Sequence, residues 1–176
     1  MLVAWPGGLR AGPVVTEMQP RHGRPGTRVV FTGKELQLVS EVKFGAALAD
    51  WEAVTVIDSQ GRPHVFEIHA TVPNTATTAR PILATPVGDI TMPMPFAVAP
   101  RITGFHPARG WDGTIVTIEG QNFTGVTAVK FGGRPASFSV TAATQIRAVV
   151  PPNVTDGLIT VSHDETGTSG EPFIVA

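Results

Sequence analysis

The chain has no cysteine and no tyrosine, and its Lys, Glu and Leu are sparse. Without cysteine there can be no disulfide, no thiol nucleophile and no Cys-ligated metal, although the compartment stays open. Without tyrosine, a flat Trp/Tyr platform for sugars has to be built from three tryptophans that lie far apart in sequence. A dominant charge sign is missing too. Thirteen basic residues stand against 14 acidic ones, for a net charge of −1. The balance is flat along the chain, with 8 basic and 8 acidic residues in 1–99 and 5 and 6 in 100–176. A protein that grips a nucleic-acid backbone needs a clustered positive excess, and the densest basic stretch here, RHGRPGTR (21–28), reads as a turn. No apolar run approaches the ~20 residues of a membrane-spanning helix. MLVAWPGGLRAG has no basic start and no long apolar core, so it does not read as a signal peptide.

What is present points to strands. Apolar residues make up 42% of the 176, and the apolar runs are carried by Val, Ile, Thr and Phe. These residues fit a pleated, half-buried surface. With 19 Gly and 16 Pro as punctuation, the composition predicts an all-β protein with many turns.

The chain also says one thing twice. GRPGTRVVFTGKEL in the first half returns as GWDGTIVTIEGQNF (110–123). Pro13, Pro20, Gly23, Gly26, Thr27, Gly33, Phe44 and Gly45 match Pro100, Pro107, Gly110, Gly113, Thr114, Gly120, Phe131 and Gly132, all at an offset of 87. From Ile68 and Ile146 onward the offset is 78, so the first copy holds nine extra residues between Gly45 and Ile68. The turn-rich DSQGRPH (58–64) is the expected place. This is an internal duplication, and it divides the chain into an arm (1–11), a first domain (12–99) and a second (100–176).

Within the second copy, TIVTIEG alternates, with Val116 and Ile118 on one face and Ile115, Thr117 and Glu119 on the other. ASFSVT pairs Phe138 with Val140, and QIRAVVP aligns Ile146, Ala148 and Val150 before Pro151 stops the strand. About seven short strands in fewer than 80 residues predict a two-sheet sandwich. The expected core is Val116, Ile118, Phe131, Phe138, Ile146, Val150, Ile159, Val161 and Phe173. In the first copy it is Val29, Phe31, Phe44, Ile68, Val72, Leu83, Phe96 and Val98.

Residues 100–176 closely resemble an IPT/TIG domain. The marks are P-x-I-x-x-F-x-P-x-x-G, G-T-x-V-T-I-x-G-x-N-F, V-x-F-G-G and the V-P before a strand. The first copy resembles a diverged version, with GKEL in place of GQNF. The resemblance implies two tandem immunoglobulin-like β-sandwich domains of the E-set, IPT/TIG type. Such domains occur in plexin-type receptors, in Rel-type transcription factors, as accessory modules of starch-acting enzymes, and in bacterial and phage surface proteins. Catalysis is not among their roles, and the fold alone selects none of the others.

A search for chemistry returns little. None of the five histidines has a metal-ligand spacing. Asp164 and Glu165 are adjacent in a Thr/Ser/Gly-rich turn, fewer oxygen ligands than Ca²⁺ needs, so no cofactor is expected. No G-x-S-x-G, P-loop or G-x-G-x-x-G occurs. The candidate contact residues are apolar ones in turns or loose segments: Leu2, Val3 and Trp5 in the arm, Trp51, Trp111 in the RGWDG turn, and Met92 and Met94 in ITMPMPF. Trp buries much area at small entropy cost, and Met adapts to irregular surfaces. For ITMPMPF the competing reading is a stiff entry to the last strand of the first domain.

These readings predict a non-enzymatic structural or protein-interaction module. It would be a rigid two-domain spacer, decoration or adaptor subunit of a larger assembly, stiffened by Pro100 between the domains. Expected partners are proteins, in a multimer or homo-oligomer, with no nucleic acid and no membrane span. An extracellular, cell-surface or virion location is favoured. A carbohydrate-binding accessory module is the alternative, and a DNA-binding immunoglobulin-like domain ranks below it.

Overall fold

A computed structural model describes residues 12–57, 59–164 and 166–176. The chain forms two compact units, one closing at Ala97 and the other running Val98–Ala176. Both are built almost wholly from strands.

In the first unit the strands are β1 (Val14–Gln19), β2 (His22–Gly23), β3 (Arg28–Lys34), β4 (Glu41–Phe44), β5 (Ala47–Leu48), β6 (Asp50–Ile57), β7 (Pro63–Thr71), β8 (Ile82–Ala84), β9 (Ile90–Thr91) and β10 (Ala97–Val98). One sheet has the order β1-β3-β7-β6 and the other β5-β4-β8-β9, and β2 pairs with β10. The core between the sheets holds Val29 and Phe31 from β3, Phe44 from β4, Ile68 from β7, Leu83 from β8, and Val72 and Phe96. All are buried, as the alternation predicts.

The second unit repeats the plan with β11 (Arg101–His106), β12 (Arg109–Gly110), β13 (Ile115–Gln121), β14 (Ala128–Phe131), β15 (Arg134–Pro135), β16 (Ser137–Ala142), β17 (Gln145–Val149), β18 (Gly157–Ser162) and β19 (Thr166–Val175). Its sheets run β11-β13-β17-β16 and β12-β19-β18-β14-β15. The duplication is therefore structural and extends to side-chain geometry. Phe44 meets Phe96 edge-on at 5.2 Å and 74°, and Phe131 meets Phe173 at 5.2 Å and 83°. Edge-to-face pairs of this kind add about 0.5–1.5 kcal/mol to the burial of each ring.

Phe138 departs from the expected core. It is half-buried and packs against the cluster from outside. The reason is position, because β16 is the last strand of its sheet, so a core-facing side chain there has neighbours on one flank only. Val140 on the same strand is exposed. Conversely, Leu36 and Phe123 are fully buried. Each follows a residue with left-handed backbone, Glu35 (φ 56) and Asn122 (φ 60), which turns the next side chain inward.

Close approach explains one repeated glycine pair. A Cβ on Gly33 would lie 2.0 Å from the Val14 carbonyl oxygen, and one on Gly120 2.0 Å from that of Arg101. Each glycine pairs across the ladder beside the bulge in β1 or β11, where the neighbouring strand's backbone leaves no room for a Cβ, and only glycine fits.

The nine extra residues of the first copy lie in one hairpin. Asp50 to Thr71 covers 22 residues, whereas Ser137 to Val149 covers 13. The turn joining β6 to β7 is where the sequence places the insertion. Strand β3 pairs with β7 from Arg28↔Thr71 to Thr32↔Glu67. Beyond that line His64 and Val65 pair with β6 alone, and the hairpin continues as a two-stranded ribbon. Phe66 is the extra residue where the register shifts between Val54↔Glu67 and Thr55↔Val65.

Candidate functional site

The repeated turn before β3 and β13 is locked in the same way in both units. Thr114 Oγ1 accepts from the Trp111 N–H at 3.1 Å, and the Thr114 N–H donates to the Trp111 carbonyl at 3.1 Å. In the first unit Thr27 does the same for Arg24, at 3.1 and 3.0 Å. Gly113 (φ 83) closes the turn and donates to the Val150 carbonyl at 3.0 Å. The turn is thus held on both sides, and it presents Trp111 to solvent at 66% exposure.

The strand that leaves the Trp111 turn starts on an exposed apolar pair. Ile115 opens β13, and its direct cross-strand partner on the outer face of the sheet is Val149. Both are exposed. The equivalent residues in the first unit are Arg24, Arg28 and Thr71. The fold is the same there, so nothing in the sandwich itself requires Trp, Ile and Val at these places. An exposed apolar cross-strand pair marks a contact surface more reliably than scattered residues.

That polar end of the first unit has its own arrangement. Arg28 donates to Glu52 and to His69 Nδ1. With Nδ1 accepting, His69 Nε2–H donates to Glu67 Oε2 at 2.9 Å, a tautomer assigned from the network. Arg28, Asp50, Glu52, His69 and Thr71 share the outer face of the sheet around an open depression of about 240 Å³, whereas half-buried Trp51 at its border pairs with buried Ala70 and so faces the core side. The geometry offers several donors and acceptors. Sequence reasoning singled out Trp51 but missed its companions. They come from three different strands, and only the β3–β7–β6 register brings them together.

The other expected contact residues fare differently. Met92 is 5% exposed and belongs to the core of the first unit, because it lies just past the edge strand β9 and turns inward. Met94, two residues on, is 49% exposed. Leu2, Val3 and Trp5 lie outside the described residues, as does Glu165. Asp164 sits in the β18–β19 hairpin with its Oδ2 3.1 Å from His163 Nδ1. Among the described residues no group of three or more His, Cys, Asp or Glu is arranged to hold a metal ion, and no helix is long and apolar enough to cross a membrane.

Lys43 on β4 lies 2.9 Å from Glu41. The hydrogen bond and charge of that carboxylate raise its ammonium pKa above the usual lysine range. Both groups lie at the surface, and the pair is a local feature of the strand.

No curated protein sequence matches the chain. Among solved structures, one determined with xylogluco-oligosaccharide aligns over 94% of this chain with a TM-score of 0.51 and 20% identity, the chain spanning 41% of its length. The surface glycan-binding protein PbSGBP-B from Prevotella bryantii aligns over 93% of the chain with a TM-score of 0.48 and 16% identity, over 42% of its own length. The full extracellular region of plexin A4 aligns over 94% with a TM-score of 0.43 and 20% identity, over 18% of its length. The chain therefore spans less than half of each of these structures, and at such identity the first likeness shows a shared fold. The IPT/TIG domain family model matches residues 100–174, the stretch from just before β11 to the end of β19. With the strand orders above, residues 100–174 match the IPT/TIG domain family, and the chain is an all-β protein of immunoglobulin-like sandwiches.

Proposed function

We propose that this chain is a non-enzymatic binding module that docks a protein partner through the Trp111 end of its second unit. The observation that carries the reading is exposed Trp111 on a doubly held turn that leads into the exposed Ile115–Val149 pair, at positions where the duplicate unit is charged and polar. A pre-set Trp loses little entropy on binding, and Trp is the residue most enriched where binding energy concentrates. The balanced charge of the chain suits a protein partner better than a nucleic acid. An extracellular, cell-surface or virion setting, as a spacer or adaptor of a larger assembly, goes with this reading.

The test is a comparison of wild type with Trp111→Ala in crosslinking to native extract. The expected result is a partner band that weakens at least about tenfold at unchanged melting temperature. A partner held equally by both proteins removes the reading.

A second reading has its own support. Arg28, Asp50, Glu52 and His69 gather on one outer face polar groups able to meet sugar hydroxyls, and the structure with a TM-score of 0.51 was determined with xylogluco-oligosaccharide. Glycan-array retention lost in Glu52→Ala but kept in Trp111→Ala would favour it.

A further inference from the structure

A sheet that is not closed into a barrel ends on strands with unpaired N–H and C=O groups, and proteins usually blunt these edges against pairing with another chain. Nearly every edge here is blunted. Among the described residues β2, β5, β9, β10, β12 and β15 are two residues long. Edge strands β1, β11 and β16 each carry an extra residue that breaks the ladder: Thr16, Thr103 and Thr141. The exception is β6. It runs eight residues, DWEAVTVI, at the end of the sheet β1-β3-β7-β6. The irregularity of its hairpin falls on β7, at Phe66, so β6 itself is uninterrupted. It contains no Lys, Arg or Pro, and Val56 and Ile57 are exposed at 51% and 61%. Its counterpart in the duplicate, β16, is shorter and bulged, so the fold does not demand a clean edge.

The backbone groups available on β6 can be assigned. Ala49, just before the strand, donates to the Val42 carbonyl at 2.9 Å, away from β7. Alternation along an antiparallel strand then turns the amides of Trp51, Ala53 and Thr55 outward in the same sense.

We infer that β6 is a pairing edge for a second copy of this chain, joined antiparallel about a two-fold axis at Ala53. A two-fold normal to the sheet keeps both core faces on the same side, so residues of equal parity must face each other. With the axis at Ala53, Trp51 faces Thr55, Glu52 faces Val54 and Asp50 faces Val56. No carboxylate opposes another, and the outward amide and carbonyl of Ala53 meet those of the second copy as a hydrogen-bonded pair. Moving the axis to Glu52 would set two glutamates face to face, which is destabilising. The two four-stranded sheets become one of eight, within the ordinary range. The contact is isologous and closed, so it gives a discrete dimer rather than a fibre. It involves neither Trp111 nor its neighbours, so it stands or falls separately from the docking reading above.

The experiment is sedimentation of the full chain over a concentration series to about 1 mM, with Ala53→Lys and Ala53→Glu. Wild type is expected to move from monomer to dimer as concentration rises. Each variant alone is expected to weaken the dimer at least about tenfold at an unchanged melting temperature, and an equimolar mixture of the two to restore it. Should either charge lower the melting temperature, Thr55→Pro, which removes an outward amide without touching the β7 ladder, gives the same loss. A wild type that stays monomeric throughout, or variants that dimerise as wild type does, overturns the inference.

Discussion

Glu35 and Asn122 hold the same left-handed backbone, φ 56° and 60°, at matching places in the two units. Each is followed by a fully buried side chain, Leu36 and Phe123. Asparagine tolerates this region far better than glutamate. The Glu35 carboxylate accepts an exposed hydrogen bond from Gln37 Nε2 at 2.6 Å. Glu35→Asn is therefore expected to stabilise the first unit by about 0.5–1 kcal/mol in denaturant melts, and Asn122→Glu to destabilise the second by a similar amount. Opposite signs would show that the turns are not equivalent.

Gly120→Ala is expected to be severe. The new Cβ would lie 2.0 Å from the Arg101 carbonyl oxygen and 2.4 Å from Phe123 Cζ. The first contact is backbone, so strands β11 and β13 must separate. A loss above about 2 kcal/mol is expected in thermal or urea unfolding. A variant with wild-type stability would mean that the strands do not pair as described.

Two phenylalanines of the second unit should differ sharply. Phe131 is fully buried and touches Phe173 edge-on, so Phe131→Ala should cost about 3–5 kcal/mol. Phe138 is half-buried on an edge strand, and Phe138→Ala should cost less than about 2 kcal/mol. Equal losses in parallel chemical denaturation would contradict the edge placement of β16.

The ion pair between Arg28 and Glu52 is exposed, with side-chain exposures of 58% and 64%. A double-mutant cycle with Arg28→Gln and Glu52→Gln should return a coupling below about 1 kcal/mol, falling further in high salt. A larger, salt-insensitive coupling would reveal a buried network at the mouth of the Trp51 depression.

What could be read in advance follows from the length scale of each feature. Val116, Ile118, Ile146 and Val150 were legible because period-two alternation is local, and the glycines because they recur at one offset. Phe138 was misplaced because edge or centre is decided by strand order, which no short window contains. Leu36 and Phe123 were missed because a left-handed residue breaks the alternation just before them. Met92 looked like a contact residue because its prolines signalled an edge, while its own direction depends on chain beyond the motif. The Arg28–Glu52–His69 network needed the register of three strands.

The hairpin that runs past β3 has a further consequence for descent. After a gene duplicates, length change is purged wherever it shifts a strand against its neighbours, since one residue of slip exchanges the two faces of a sheet. Past the Thr32↔Glu67 pair, β6 and β7 answer only to each other, and the spare residue at Phe66 absorbs the parity error. This ribbon is therefore the place in the sandwich where insertions can accumulate without reaching the core, and the same tolerance makes its turn a natural graft point for a foreign loop.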